Sequence, residues 1–107
     1  MPIDAEVREI DVVSAAALVA QGASLIDVRE PDEWYEVRAR GATLLPLGEL
    51  NDRLSELPPS GTLYLICRSG ARSMRAAEFL AGQGRDVVNV AGGTLAWVDS
   101  DLPTEQG

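Results

Sequence analysis

The chain has 107 residues, with 17 acidic residues against 9 basic ones, one cysteine and no histidine. Its net charge of −8 argues against binding to nucleic acid or to an anionic membrane surface, because both attract basic proteins. Without histidine the chain has no general base for a serine–histidine or cysteine–histidine hydrolase, and one cysteine cannot supply a structural zinc site or an internal disulfide.

The amino-terminal residues and the length of the apolar runs indicate the cellular compartment. No run reaches the roughly 18 apolar residues of a membrane span, and the first residues, MPIDAEVREID, carry acids where a secretory signal has basic residues. A lone cysteine fits a reducing compartment. We therefore expect a cytoplasmic protein with one domain over residues 1–107, a core over about 6–102 and loose ends at 1–5 and 103–107.

Short apolar runs alternate with helical patterns along the chain. Asp11 or Ser14 can cap the first helix, Pro31 suits the first position of the second, and leucines in a 3-4-3 spacing predict a third. In chain order we predict a strand at 8–11, a helix at 14–21, a strand at 24–29, a helix from Pro31, an extended run at 42–47, a helix at 47–57, a strand at 62–67, a helix at 73–84, a strand at 86–90 and a last helix at 94–100.

Strands separated by helices predict crossover connections and therefore a parallel sheet. The runs TLYLIC and DVVNV lack strict alternation of apolar and polar residues, which indicates that both faces of the sheet are buried. We expect an α/β domain of about five mostly parallel strands flanked by helices on both faces. In such a sheet, ligands bind just past the carboxyl ends of the strands.

Cys67 lies at that point, between the end of TLYLIC and the helix predicted at 73–84. The connecting residues RSGARS contain Gly70, which permits a tight turn. Such a loop can direct successive N–H groups at one point, and the helix N-terminus adds the positive end of its dipole. Both lower the pKa of a thiol, so a thiolate can form at neutral pH without a histidine. We also expect Ser73 to cap its helix.

Basic residues concentrate beside this cysteine. Arg68, Arg72 and Arg75 fall within eight positions, and no acidic residue lies within ten positions of Cys67 on either side. Such a patch suits a small anionic substrate or leaving group, because guanidinium groups bind oxyanions through paired donors. A lone cysteine is more often a buried core residue. An inert core thiol, however, needs no glycine-containing loop between arginines, so we expect Cys67 to be reactive.

The chain resembles the rhodanese-like sulfurtransferases, in particular their small single-domain members. LIDVREPDEW (25–34), GATLLPLGEL (41–50), CRSGARS (67–73) and VVNVAGGTLAW (87–97) match four blocks of that family in the right order. The resemblance implies a five-stranded, mostly parallel sheet flanked by helices. It also implies that Cys67 takes a sulfane sulfur from a small anionic donor such as thiosulfate, becomes a persulfide, and passes the sulfur to a thiol or cyanide acceptor.

The expected site contains no metal and no organic cofactor. Cys67 is the expected catalytic residue, and Asp27 and Arg29 could support its loop, although a structural ion pair is the stronger interpretation. The residues expected to bind the substrate and hold the persulfide are Arg68, Ser69, Gly70, Ala71, Arg72 and Ser73.

Loop length separates this chain from related cysteine enzymes. Phosphatases and arsenate reductases place five residues between cysteine and arginine, whereas four separate Cys67 from Arg72, and the shorter loop favours a single sulfur atom over a tetrahedral oxyanion. A second alternative is a persulfide carrier in a sulfur relay, with a thioredoxin-like or desulfurase protein as partner and little thiosulfate turnover. Arg38 and Arg40 replace a histidine and a proline common in the family, and we expect them to shape a connection.

Overall fold

The structure is a computed structural model that describes residues 7–107, so the prediction of a loose end at 1–5 lies outside the described residues. The elements, in chain order, are β1 (Arg8–Ile10), α1 (Val12–Ala20), β2 (Ser24–Asp27), α2 (Pro31–Glu36), β3 (Arg38–Ala39), β4 (Ala42–Leu44), two 3₁₀ segments (Leu47–Glu49 and Asn51–Glu56), β5 (Leu63–Ile66), α3 (Ala71–Gly82), β6 (Val87–Val90), α4 (Gly93–Asp99) and β7 (Thr104–Glu105). No helix in this part of the chain is long and apolar enough to cross a membrane.

Five strands form one sheet in the order β1-β6-β5-β2-β4, and all neighbours in it run parallel. One apolar core lies between the sheet and α3 with the 3₁₀ segments, and it includes Leu65 and Leu80. The other lies between the sheet and α1 with α4, and it includes Ala15 and Trp97. The predicted α/β sheet with helices on both faces is therefore confirmed, and the strands direct their carboxyl ends to one edge.

Two helices begin earlier than the sequence pattern predicts. Of the two predicted caps of α1, Asp11 is the one used, because its carboxylate accepts a hydrogen bond from the Ser14 N–H at 2.7 Å. α3 begins at Ala71 because Gly70, with a φ of 113°, turns the chain directly into the helix. The connection after Cys67 therefore shortens to residues 68–70, and the second half of the predicted loop forms the first turn of α3.

The predicted helix at 47–57 is wrong in type, since this stretch forms two 3₁₀ segments. Pro46 precedes the stretch, Gly48 lies within it, and Arg53 leaves helical geometry with φ −121° and ψ 24°. Short, interrupted segments of this kind favour 3₁₀ over α geometry. The predicted apolar face is correct, because Leu50 and Leu57 are buried in the core beside α3.

Residues 103–107, expected to be loose, contain β7, which pairs antiparallel with β3 in a second small sheet. The nitrogen Nε of Arg38 lies 3.6 Å from the Glu105 carboxylate, and Nε of Arg40 lies 3.9 Å from it. The two arginines that depart from the family pattern therefore attach the carboxyl-terminal strand to the connection between α2 and β4.

Candidate active site

The Cys67 thiol lies in a cradle of hydrogen-bond donors at the carboxyl end of β5. The residue is 1% exposed, and its Sγ accepts hydrogen bonds from the Gly70 N–H at 3.1 Å and from the Ser73 hydroxyl at 3.3 Å. Burial raises the pKa of the thiol, but the hydrogen bonds from the Ser73 hydroxyl and the Gly70 N–H, together with the nearby N–H groups of Ser73 and Ser69, outweigh it, so the pKa lies below its ordinary value. Ser73 is thus a donor to the thiol, and its predicted role as helix cap is wrong.

The start of α4 holds the backbone of Cys67 from the other side. The Thr94 N–H and hydroxyl donate to the Cys67 carbonyl at 2.8 and 3.0 Å, and the Leu95 N–H donates to the Arg68 carbonyl at 3.0 Å. A Cβ on Gly93 would stand 2.5 Å from both carbonyl oxygens, so only glycine permits this approach. The start of α4 therefore binds the carbonyl groups of Cys67 and Arg68, and the Gly70 N–H that follows them donates to the Cys67 sulfur.

Arg72, expected to contact an anion, is already paired. Its Nη1 and Nη2 donate to the two carboxylate oxygens of Glu33 on α2 at 2.7 and 2.8 Å. These hydrogen bonds hold the pKa of Glu33 at about 2 against a burial effect that raises it, and they raise the pKa of Arg72. Within residues 7–107, the Arg68 guanidinium has no hydrogen bond and no ion pair.

A model of the rhodanese-like domain matches residues 11–100. The chain belongs to this family. A sulfurtransferase of Allochromatium vinosum is 37% identical over 100 residues, which cover 91% of this chain and 94% of that protein. The putative sulfur carrier protein YrkF of Bacillus subtilis is 39% identical over 75 residues, 69% of this chain and 40% of that protein. The crystal structure of a rhodanese-related protein from Thermoplasma volcanium has a TM-score of 0.85 at 28% identity and covers 94% of this chain and 99% of that one.

These relatives support sulfur transfer in general as the chemistry of this rhodanese-like domain. The Thermoplasma volcanium structure shares its fold, and the residues that the family model matches include the complete Cys67 loop.

Asp27 and Arg29 form a buried ion pair at the end of β2, and the structural interpretation is the one the geometry favours. Nη2 of Arg29 donates to the Asp27 carboxylate at 2.8 Å, and the guanidinium also donates to the carbonyls of Glu33 and Val37. Among the described residues the pair makes no hydrogen bond to residues 67–73. The pair supports the Cys67 loop only indirectly. It holds α2 in place, and α2 carries Glu33, the partner of Arg72.

Sequence reasoning missed Glu33, Thr94 and Asn89. The Asn89 side chain is buried, and its Nδ2 donates to the Gly70 carbonyl at 3.2 Å and to the Glu9 carboxylate at 2.8 Å. A signal existed for Asn89, since it is the one polar residue inside the apolar run VVNV. Over residues 7–107 no cluster of three or more histidine, cysteine or carboxylate side chains could hold a metal ion.

Proposed function

We propose that this rhodanese-like domain is a sulfurtransferase in which Cys67 carries the transferred sulfur as a persulfide. One observation supports this most strongly: a buried thiol accepts hydrogen bonds from both a hydroxyl and a backbone N–H, and its pKa is lowered. Fixed donors of this kind stabilise a thiolate without a proton acceptor, and they can equally stabilise the negative sulfur of a persulfide.

In the first half of the proposed reaction, the Cys67 thiolate attacks the sulfane sulfur of a small anionic donor such as thiosulfate. A new S–S bond forms at Sγ, the S–S bond of thiosulfate breaks, and sulfite leaves with the electron pair. Arg68 is the cation that we assign to the donor and to the departing sulfite, because Arg72 is engaged by Glu33. In the second half, a thiolate or cyanide attacks the outer sulfur and Cys67 returns as a thiolate.

The test is intact-mass spectrometry of the protein after thiosulfate treatment under non-reducing conditions, beside Cys67→Ser. We expect a gain of one sulfur atom that a thiol reverses and that the variant lacks. If no sulfur adds while iodoacetamide still modifies Cys67 rapidly at about pH 6, below the ordinary thiol pKa, thiosulfate is the wrong donor. A Cys67 that neither gains sulfur nor reacts would contradict the proposal.

The role of Arg68 has a matched control in the chain. Arg68→Gln should raise the KM for thiosulfate several-fold, because the variant loses the cation beside the loop. Arg8→Gln removes the same charge at the amino end of β1, remote from the loop, and should leave that KM unchanged. Equal effects of the two substitutions would show that only the net charge matters.

A second candidate, a persulfide carrier in a sulfur relay, is favoured by the likeness to the putative sulfur carrier protein YrkF. The same cradle would hold the persulfide, but the sulfur would come from a protein such as a cysteine desulfurase. Saturable thiosulfate:cyanide turnover would favour the enzyme. Slow turnover together with rapid loading of Cys67 by a desulfurase and cysteine would favour the carrier.

A further inference from the structure

A cleft of ≈ 460 Å³ opens between the two 3₁₀ segments and α3. Its walls combine three apolar side chains with one amide and one guanidinium. The lining residues are Leu47, Gly48, Leu50, Asn51, Arg75 and Phe79. A concave, mostly apolar surface with a few polar groups is the usual form of a small-molecule site.

The cleft lies on the face of the sheet to which the Cys67 side chain points. Side chains along β5 alternate between the two cores, and Cys67 belongs to the core beside α3, as does Leu50 in the cleft wall. The two segments that form the cleft, the 3₁₀ stretch and α3, also begin at the edge of the sheet that carries the Cys67 loop. The Leu47 N–H donates to the carbonyl of Val28, just past the end of β2, and Arg75 lies four residues after the start of α3, about 6 Å along the helix.

The Arg75 guanidinium in the cleft differs from most other guanidinium groups of this chain in having no partner among residues 7–107. All nine basic residues are arginines, and Arg85 donates to the carbonyl of Pro58. Within residues 7–107, only Arg68 and Arg75 have a guanidinium with neither a hydrogen bond nor an ion pair; Arg68 belongs to the Cys67 loop and Arg75 to the second turn of α3. The arginines within 4.0 Å of a carboxylate are Arg8, Arg29, Arg38, Arg40, Arg53 and Arg72.

We propose that this cleft, lined by Leu47, Phe79 and Arg75, binds the sulfur acceptor, and that the acceptor is a thiol with an apolar body and a carboxylate. The apolar body would lie against Leu47 and Phe79, and the carboxylate would pair with the Arg75 guanidinium. The inference rests on the proposed function, because it requires a persulfide on Cys67.

The transfer itself needs no further reactant. The acceptor thiolate attacks the outer sulfur of the Cys67 persulfide, a new S–S bond forms to the acceptor, and the bond between Sγ and the outer sulfur breaks. Cys67 leaves as a thiolate with the electron pair, and the acceptor leaves as a persulfide. The cradle that lowers the pKa of Cys67 also makes it a good leaving group.

Single-turnover discharge of the preformed persulfide tests the cleft. Four probes combine a long or short chain with an acid or a neutral end: mercaptooctanoate, mercaptooctanol, mercaptopropionate and mercaptopropanol. Loading is first confirmed by intact mass, and the second-order rate of discharge is then measured for each probe. We expect mercaptooctanoate to react about fivefold faster than mercaptooctanol, as a partly exposed ion pair allows, and mercaptooctanol to react faster than mercaptopropanol through apolar contact.

Substitutions then locate the effect. Arg75→Gln should abolish the preference for the long acid over the long alcohol, while Arg8→Gln, remote at the amino end of β1, should preserve it. Phe79→Ala should reduce the rate advantage of the long-chain probes. If this variant does not fold, the comparison of long and short probes on the wild-type protein still tests the apolar contact. A protein that loads with sulfur but discharges to all four probes alike would overturn the cleft proposal alone. A protein that no donor can load would overturn the proposed function and the cleft proposal together.

Discussion

Replacing Glu33 by glutamine should destabilise the protein in a pH-dependent way. Glutamine keeps an oxygen for the Glu30 N–H, which Glu33 accepts at 3.0 Å, but it loses the charge that pairs with Arg72. The pKa of Glu33 falls from its ordinary value of 4.5 to about 2, and this difference corresponds to about 3.4 kcal/mol of folding free energy as an upper limit. Since Glu33 and Arg72 are 25% and 34% exposed, solvent screening reduces the expected loss to about 1–2 kcal/mol at pH 7.

The sign of the pH dependence follows from the lowered pKa. A carboxylate whose pKa is lower in the folded state contributes its full stability above its unfolded pKa, here 4.5, and loses it as the pH falls toward about 2. Urea denaturation followed by tryptophan fluorescence should therefore show a difference between wild type and Glu33→Gln that is constant from pH 7 to 5 and less than half as large at about pH 3.

Glu36 supplies the control, because it is an exposed acid on the same helix. Glu36→Gln should change the free energy of unfolding by less than about 0.5 kcal/mol at each pH. A Glu33→Gln loss that persists unchanged at about pH 3, or one that Glu36→Gln reproduces, would refute the view that the ion pair between Glu33 and Arg72 stabilises the contact of α2 with the first turn of α3.

Three further substitutions test the cradle and its supports. Ser73→Ala should raise the pKa of the Cys67 thiol, seen as a shift of the thiolate absorbance titration to higher pH, whereas Ser69→Ala, which keeps its backbone donor, should not. Gly93→Ala forces a Cβ against two carbonyls and should lower the free energy of unfolding in urea by about 2–4 kcal/mol, while Gly82→Ala, with open space around it, should cost nothing. Asp27→Asn removes the counter-ion of a buried guanidinium and should cost about 3 kcal/mol by the same assay; no loss would contradict the buried pairing.

The sheet was predictable because its strands are short apolar runs between helical patterns. The helix type at 47–57 could not be predicted from the leucines, because their spacing places them on one face of a 3₁₀ helix nearly as well as of an α-helix. Pro46 and Gly48 favour the 3₁₀ geometry that is observed. β7 was also missed. Two residues carry no periodicity, and this strand depends on pairing with β3, a contact between residues distant in sequence.

The cysteine with a lowered thiol pKa and the turn that supplies its donors could be predicted because they are contiguous in the chain. Glu33 could not, since its bond to Arg72 joins residues 39 positions apart and depends on the angle at which α2 crosses the loop. The same pairing distinguishes the members of the basic cluster. Of three arginines close together in sequence, Arg72 is paired with Glu33, whereas Arg68 and Arg75 have no carboxylate partner among residues 7–107.

The lowered pKa of Cys67 depends on contacts outside its own loop. A short turn exposes carbonyls as well as N–H groups, and carbonyls directed at the sulfur would oppose a thiolate. Thr94 and Leu95 bind the carbonyls of Cys67 and Arg68, and Gly93 permits the close approach that this requires. Gly93 therefore belongs to the thiol site. A chain without histidine can activate its cysteine in this way, with donors fixed by the fold in place of a base.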